Sequence, residues 1–356
     1  MAATREHRDE EVTRDADRDA VRLRRGIVWT AALAGLLIGV ALAVPDLREV
    51  LERVTDAGKG WLVLAVALEL ASCLGYVATV RLVLRRGPAK PIRHLAWAEM
   101  AFGAVVPLGG AGSLAVGAWA MRAWGVAWSR VANRSAVIFL LTSGVNAATL
   151  ALAGLGVGLG LGAGPRAGLY GLVPAAIGSA SIAVFWALPR WRARNGGRMR
   201  AGRLEPILQR TATWVADTEA IAFAPDWRLL GAIGYLIFDI AVLWACLRAV
   251  GASPPVLALA LGYQIGYLAN VVPIPGAVGA LDGGLLGALV LYGLPAAPAA
   301  AAIVLYHAIA LAVPAIGGTA GFVRLRRSFT DERRRAVSRA PALGTLVHRA
   351  GEALGA

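Results

Sequence analysis

Charged residues are scarce in this sequence of 356 residues. They make up 16% of the chain, whereas a soluble domain of this size carries about a quarter. The stretches 27–44 and 168–188 contain none, and about 18–21 residues suffice for a helix to cross about 30 Å of hydrocarbon. The composition excludes an ordinary soluble domain and indicates a membrane protein. Charge concentrates in four segments: 1–25, 81–94, 190–228 and the residues after 323.

Cysteine and histidine are also scarce. Cys73 and Cys246 both fall in apolar stretches, so they form no disulfide framework and no CxxC metal site. The four histidines form no cluster, and the sequence has no HExxH, GxSxG or Walker motif. The glycine run at 154–160 resembles a dinucleotide loop, but no strand precedes it. We therefore expect no enzymatic activity, no cofactor and no metal.

The net charge of +14 raises the question of nucleic-acid binding. The basic residues flank apolar spans and form no basic fold of their own, which excludes nucleic acid as the expected partner. Such flanking charges are topology signals and contacts to anionic headgroups. Membrane phospholipids are therefore the expected partners.

The hydrophobic pattern predicts an all-α polytopic membrane protein with about six spans and two re-entrant hairpins. Each arm of the first hairpin has about 12 residues, or about 18 Å of helix, which is too short to cross the bilayer. The spans are 27–44, 61–84, 135–158, 168–188, 229–250 and 296–322. The hairpins are 95–124, broken by Pro107, Gly109, Gly110 and Gly112, and 256–294, broken by Pro273, Pro275, Gly276 and Gly279.

The distribution of basic residues predicts the orientation. If both termini are cytoplasmic, 31 of the 36 basic residues face the cytoplasm, as the positive-inside rule requires for a bacterial inner-membrane protein. We expect a disordered tail at 1–25, a transmembrane domain at 26–325 and a basic cytoplasmic tail at 326–356. Amphipathic patterns around 47–54 and 204–215 predict interfacial helices.

The two hairpins share a sequence pattern. The heptapeptide that begins at Val105 and contains Pro107 recurs as the heptapeptide that begins at Val271 and contains Pro273. Halves of about 26–160 and 166–325 each have three spans, so the second half is inverted in the membrane, as in many transporters. Broken helices at matching positions mark a midplane site, where two helix N-termini suit a phosphate group. The alternative is that these small residues only allow tight helix packing.

Ionisable residues inside the spans need a physical reason, since each is costly in hydrocarbon. They either pair with one another or line a cavity, where acids relay protons or recognise a cationic headgroup. Arginines near the interface can instead extend their head to water. The candidates are Glu69, Glu99, Arg122, Arg134, Asp239, Asp282 and His307.

The hairpin motifs resemble the transmembrane region of lysyl-phosphatidylglycerol synthases and their stand-alone flippase-like relatives. The similar stretches are 107–112 with Arg122, Gly125 and Arg134, and 273–276 with Asp282, Gly293, Tyr306 and Pro314. Three positions depart from the family pattern: Ala277 stands for glycine, Asp282 for glutamate and His307 for arginine.

The resemblance covers about residues 27–325 and implies a domain that moves phospholipid, including aminoacylated phospholipid, between leaflets. Since the soluble synthase domain is missing from this sequence, we expect no synthesis of aminoacyl-lipid by this chain. A second copy or a separately encoded synthase or envelope enzyme is the expected protein partner. The alternative function is a non-transporting lipid-binding or scaffold subunit of a cell-envelope enzyme.

Overall fold

The computed structural model describes residues 45–85, 88–105, 111–161, 168–195, 205–269 and 278–354. Residues 1–56 form one unit, in which the described part is helix α1, Pro45–Thr55. This helix covers the amphipathic segment predicted around 47–54. The predicted tail at 1–25 and the predicted first span at 27–44 lie outside the described residues.

The second unit, residues 57–356, is helical throughout its described segments. Its helices are α2 (Lys59–Val83), α3 (Ala89–Val105), α4 (Ala111–Ala123), α5 (Trp128–Gly158), α6 (Leu169–Asn195), α7 (Glu205–Ala222), α8 (Leu230–Ala249), α9 (Val256–Ala269), α10 (Val278–Leu291) and α11 (Ala296–Leu354). One 3₁₀ turn, Trp227–Leu229, leads into α8.

Five of these helical segments are long and apolar enough to cross a membrane. Large apolar side chains such as Val63, Phe139 and Ile316 are exposed on their outer faces, as expected where lipid replaces water. The segments coincide with five of the six predicted spans: Lys59–Val83, Trp128–Gly158, Leu169–Arg194, Trp227–Ala249 and Ala296–Thr330. The last helix continues to Leu354, through most of the predicted tail at 326–356.

Helices α2 and α8 cross in antiparallel directions at the centre of this unit. A Cβ atom built on Gly75 would lie 2.6 Å from the backbone nitrogen of Tyr235, and one on Gly231 would lie 2.6 Å from the carbonyl oxygen of Gly75. At the opposite end of α2, the Gly58 N–H donates to the carbonyl of Ala249 at 2.9 Å. Two glycines therefore bring the two backbones into contact, the packing typical of helices in lipid.

The two predicted hairpins form two pairs of short antiparallel helices. In α3 and α4, Gly103 lies against Ser113 and Gly117 lies against Glu99. In α9 and α10, Gly266 lies against Leu285. The loops at 106–110 and 270–277, which contain most of the predicted proline and glycine breaks, lie outside the described residues.

Each pair packs on a long helix from the other half of the sequence. Helix α3 lies on α11, where Gly317 and Gly321 make room for the side chain of Trp97. Helix α9 lies on α5, where Leu257 fits beside Gly156. These crossings bring α2, α3, α8, α9 and α11 around one common space.

Candidate functional site

A cavity of about 440 Å³ occupies the space between the helices of both halves. Its size is within the range of about 300–1,000 Å³ common for small-ligand sites. Both short helix pairs contribute to its wall, the first through Gly103 and Ser113 and the second through Gly266 and Leu285. The cavity also contains three carboxylates, which come from Glu69, Glu99 and Asp239.

The carboxylate of Glu99 is paired with a cation. Arg134 on α5 donates from Nη1 to Glu99 Oε1 at 2.6 Å and from Nη2 to Oε2 at 2.7 Å. Tyr76 on α2 donates its hydroxyl to Oε2 at 3.1 Å. Glu99 is fully buried and Arg134 is 6% exposed. This bidentate pair has the short, planar geometry of strong arginine–carboxylate contacts and joins α2, α3 and α5.

A glycine makes room for this pair. Gly117 on α4 lies directly beside it, and a Cβ atom there would overlap Glu99 Oε1 and lie 2.8 Å from Arg134 Nη1. Any other residue at this position would therefore displace the charged groups.

The carboxylate of Asp239 has a different environment. It accepts hydrogen bonds from the hydroxyl of Tyr263 on α9 and from that of Tyr306 on α11, the latter at 3.1 Å to both oxygens. Within the described part of the chain, no lysine or arginine forms an ion pair with it. The carboxylate is therefore hydrogen-bonded by two tyrosine hydroxyl groups.

Glu69 is the second carboxylate of the cavity that forms no ion pair with a lysine or arginine in the part of the chain that is described. Its Oε1 accepts a weak contact from Cys73 Sγ at 3.6 Å, and its Oε2 is buried without a hydrogen-bond partner. The residue is 5% exposed. Glu69 on α2 and Asp239 on α8 both line the cavity. An unpartnered buried carboxylate oxygen is costly, so this oxygen is free to accept a hydrogen bond or to meet a cation.

Tyrosines form much of the remaining wall. Five of the seven tyrosines in the chain line the cavity, namely Tyr76, Tyr235, Tyr263, Tyr267 and Tyr306. Their rings face one another at centroid distances such as 5.5 Å for Tyr76 and Tyr235. Of the five, Tyr306 was noted in the sequence only for its place in the family motif. The other four could have been noticed because tyrosines in spans normally lie near the interface, whereas these lie deep in apolar segments.

The other predicted site residues lie in several places. His307 lines the cavity, next to Tyr306. Arg122 is exposed, lies 5.2 Å from the ring centre of Trp128 and donates to the carbonyl of Val126, as expected for an interfacial arginine. Gly112 borders a separate apolar groove beside Trp119.

The remaining predicted residues belong to the two sequence segments predicted as hairpins. Gly279 and Asp282 fall in the first turns of α10, and nothing is described of the Asp282 side chain. The residues Pro107, Gly109, Gly110, Pro273, Pro275 and Gly276 lie outside the described residues. Their predicted roles stay predictions.

A second cavity lies beyond the Glu99–Arg134 pair. It has a volume of about 1,040 Å³ and is bordered by the end of α2, the beginning of α5 and the amphipathic helix α7. Arg134 lines this outer cavity, together with Arg85, Arg130 and Asp217, while Glu99 lines the central one. The ion pair therefore forms part of the wall between the two spaces.

Long apolar helices around a buried polar cavity define a multi-pass membrane protein with an internal site. The chain belongs to the family described as the lysylphosphatidylglycerol synthase TM region, which it matches over residues 27–318. The resemblance found in the hairpin motifs is thereby confirmed. The family associates the chain with membrane lipid.

The chain is also similar to a protein described as a UPF0104 membrane protein from Methanothermobacter thermautotrophicus. The two are 30% identical over 100 residues. The match spans 28% of this chain and 28% of the length of that relative.

Proposed function

We propose that this protein moves phospholipid between the leaflets of a bacterial cell membrane. The central cavity holds the headgroup and is exposed to each side in turn. The observation that carries the proposal is one cavity between the helices whose wall comes from both short helix pairs and which contains two carboxylates that form no ion pair with a lysine or arginine of the described residues. A lipid headgroup is the polar group that a membrane-buried cavity of this size has to accommodate during transfer.

An inverted repeat supports alternating exposure. Pro107 and Pro273 are 166 residues apart. When 166 is added to the residue numbers of the first half, α2 matches the segment 227–249, α3 matches α9, α4 matches α10 and α5 matches the beginning of α11, each to within about two residues. The helix packing shows the same correspondence between the halves. Helix α3 lies on α11, and its counterpart α9 lies on α5, the counterpart of α11. Transporters built from inverted repeats work by moving one half against the other around a central site.

The lengths of the short helices support re-entrant hairpins. Helix α4 has 13 residues, and α9 and α10 have 14 each, which correspond to about 20 Å of helix. The hydrocarbon layer is about 30 Å thick, so none of these three helices crosses it alone. Backbone that turns back within the membrane is tolerated where it is buried in protein or lines a cavity.

The lining of the cavity favours a headgroup that carries an ammonium group. Carboxylates of Glu69 and Asp239 attract a cation, and the tyrosine rings around them add cation–π contacts. An aminoacylated lipid or another amine-bearing phospholipid has this group. The same carboxylates repel an anionic headgroup that has no amine, so the site prefers amine-bearing lipids.

The Glu99–Arg134 pair is suited to close one side of the pathway. It separates the central cavity from the outer one, and the outer cavity lies at the helix ends that carry Arg85 and Arg130. By the positive-inside rule this is the cytoplasmic side, and both termini lie there as well. The amphipathic α7 then lies along the cytoplasmic interface.

Transfer of fluorescent lipids in reconstituted vesicles tests the proposal. Vesicles with the protein should transfer a phosphatidylethanolamine analogue faster than protein-free vesicles, as measured by the fraction that dithionite added outside can quench. Asp239→Asn should slow this transfer at least about tenfold, since the ammonium loses its charged partner, and should affect a phosphatidylglycerol analogue less.

A matched control uses an acid on the exposed surface. Glu49 on α1 forms an exposed ion pair with Arg53 at 2.9 Å, and Glu49→Gln removes one carboxylate without touching the cavity. This variant should transfer lipid as the wild type does. Lipid binding without any transfer in the wild type would contradict the proposal and favour a scaffold subunit for an envelope enzyme.

A further inference from the structure

The charge balance of the central cavity is incomplete. Glu99 is neutralised by Arg134, but Glu69 and Asp239 have no lysine or arginine partner among the described residues. One oxygen of Glu69, a residue 95% buried, accepts no hydrogen bond at all. Such a carboxylate is stabilised by taking up a proton or by pairing with a positive charge.

Two ionised carboxylates in one buried site also destabilise each other. Such a pair holds a proton because like charges in a site of low polarity raise each other's proton affinity, as in carboxylate dyads. When the cavity contains no lipid, a proton is the smallest cation that removes this repulsion. When an ammonium headgroup is present, its charge does the same and the proton is no longer needed.

We propose that Glu69 and Asp239 form one proton-binding site and that a proton and the ammonium of the headgroup occupy it alternately. This inference rests on the proposed function and adds its energy source. When the headgroup enters the cavity from one side of the membrane, the proton is released to the water on that side. When the headgroup leaves on the other side, a proton binds from that other side. One positive charge replaces another in each step, so a proton gradient drives lipid in the opposite direction.

Other titratable groups surround Glu69 and Asp239 on each helix of the cavity wall. On α2 they are Cys73, one helical turn from Glu69, and Tyr76, which donates to Glu99. Tyr235 on α8 lies beside the α2 backbone. Tyr263 on α9 and Tyr306 on α11 donate to Asp239, and Tyr267 on α9 and His307 on α11 complete the wall. Glu99 on α3 is held by Arg134 on α5.

His307 is the main competitor for the proton among these groups. It lies in the cavity wall, and its imidazole is a base. A site on His307 alone would bind and release protons without Glu69 or Asp239. The experiment therefore includes His307→Gln beside the carboxylate variants.

Proton release on lipid binding tests the inference without transport. Purified protein in weakly buffered detergent, with a pH-sensitive dye, is titrated with lysophosphatidylethanolamine, and lysophosphatidylglycerol is the control lipid. The wild type should release one proton for each amine-bearing lipid bound and none with the control. Glu69→Gln and Asp239→Asn should each lower the release at least about fivefold, because the remaining carboxylate no longer shares a proton. Glu69→Asp should retain it, and so should Glu49→Gln.

Proton-driven transfer in vesicles supplies the second measurement. An imposed gradient of about two pH units should concentrate the phosphatidylethanolamine analogue in one leaflet by up to about a hundredfold, since each unit is a factor of ten. Glu69→Gln should remove this accumulation. A sodium gradient in place of the proton gradient should produce none.

The two proposals fail in different ways. Lipid transfer that ignores the proton gradient, together with binding that releases no proton, overturns the proton site and leaves the translocator intact. Proton release in detergent without any transfer in vesicles overturns the translocator and leaves the site. Loss of release in His307→Gln with full release in Glu69→Gln assigns the proton to the histidine and overturns the inference.

Discussion

The two halves of the molecule place a polar cluster on equivalent helices, and the partners of the carboxylate differ between the two clusters. The first consists of Tyr76 on α2, Glu99 on α3 and Arg134 on α5. The second consists of Asp239 on α8, with Tyr263 on α9 and Tyr306 on α11. In the first a carboxylate meets a guanidinium, and in the second a carboxylate meets two hydroxyls.

This difference separates structure from function in residues that look alike in the sequence. An acid that is paired inside the protein has its charge neutralised there and stabilises the packing of three helices. An acid held only by hydroxyl groups keeps its charge available to a ligand. We therefore expect Glu99 and Arg134 to stabilise the helix packing of the closed pathway, and we propose that Asp239 and Glu69 bind the headgroup.

The largest expected effect comes from breaking the first cluster. Glu99→Ala leaves the guanidinium of Arg134 buried without its partner, and we expect a loss of about 3–5 kcal/mol in the free energy of unfolding. Arg134→Ala should do the same from the other side. Unfolding of the purified protein in detergent, followed by circular dichroism during denaturant titration, measures the loss.

The double variant Glu99→Leu with Arg134→Met separates the ion pair from the packing. If the pair stabilises mainly by mutual neutralisation, replacing both partners by apolar residues should recover most of the stability. Single variants that cost less than about 1 kcal/mol would show that the guanidinium finds another partner, and the first cluster would then not be structural.

Two glycines at equivalent positions test the same difference with a smaller change. Gly117 on α4 lies against Glu99 and Arg134, whereas Gly283, 166 residues later on α10, has no atom within 4 Å of the place where a Cβ would stand. Gly117→Ala should destabilise the protein by about 1–3 kcal/mol through overpacking. Gly283→Ala should be neutral or stabilise by up to about 1 kcal/mol, as alanine does in a helix. Equal effects in both would contradict the asymmetry.

A substitution in the second cluster should change lipid transfer rather than stability. In Asp239→Asn the remaining carbonyl oxygen still accepts hydrogen bonds from Tyr263 and Tyr306, and the charge is gone. We expect the unfolding free energy to change by less than about 1 kcal/mol, because a buried charge and its attraction to the hydroxyls are lost together. Thermal unfolding measures the stability, and the transfer assay measures the activity. A stability loss as large as that of Glu99→Ala would make Asp239 a structural residue.

The sequence was sufficient to predict the helices that depend on hydrophobic length. Long apolar stretches predicted six spans, five of which are long apolar helices in the described residues, and proline and glycine marked the positions at which the two short helix pairs divide. These features are local, so a single sequence contains them. The close contact of Gly75 with Gly231 was not predicted, because it depends on which two helices cross and at what height.

The partners of the buried charges could not be predicted for the same reason. Glu69, Glu99 and Asp239 were all identified as membrane acids that need either a partner or a cavity. Glu99 is 35 residues from Arg134 in the chain, and the pair forms only because α3 and α5 meet in space. The tyrosines around Asp239 come from helices 24 and 67 residues away. Spacing along the chain contains no sign of either arrangement.

The smallest expected effect concerns the two native cysteines, which report whether the cavity opens. Cys73 is the counterpart of Asp239 under the 166-residue shift, lines the cavity and contacts Glu69. Cys246 is fully buried in α8 and is not part of the cavity wall. With Cys246→Ser and Cys73→Ser as matched single-cysteine variants, a small methanethiosulfonate reagent should modify Cys73 severalfold faster than Cys246, since reactivity follows access to the thiolate.

Both residues are buried in the state described, so the rate at Cys73 measures how often the cavity opens. Bound phosphatidylethanolamine should slow that rate and leave Cys246 unchanged. Equal rates at the two cysteines, with or without lipid, would mean that reagent reaches both by general loosening of the bundle and that the cavity is no more accessible than the interior of α8.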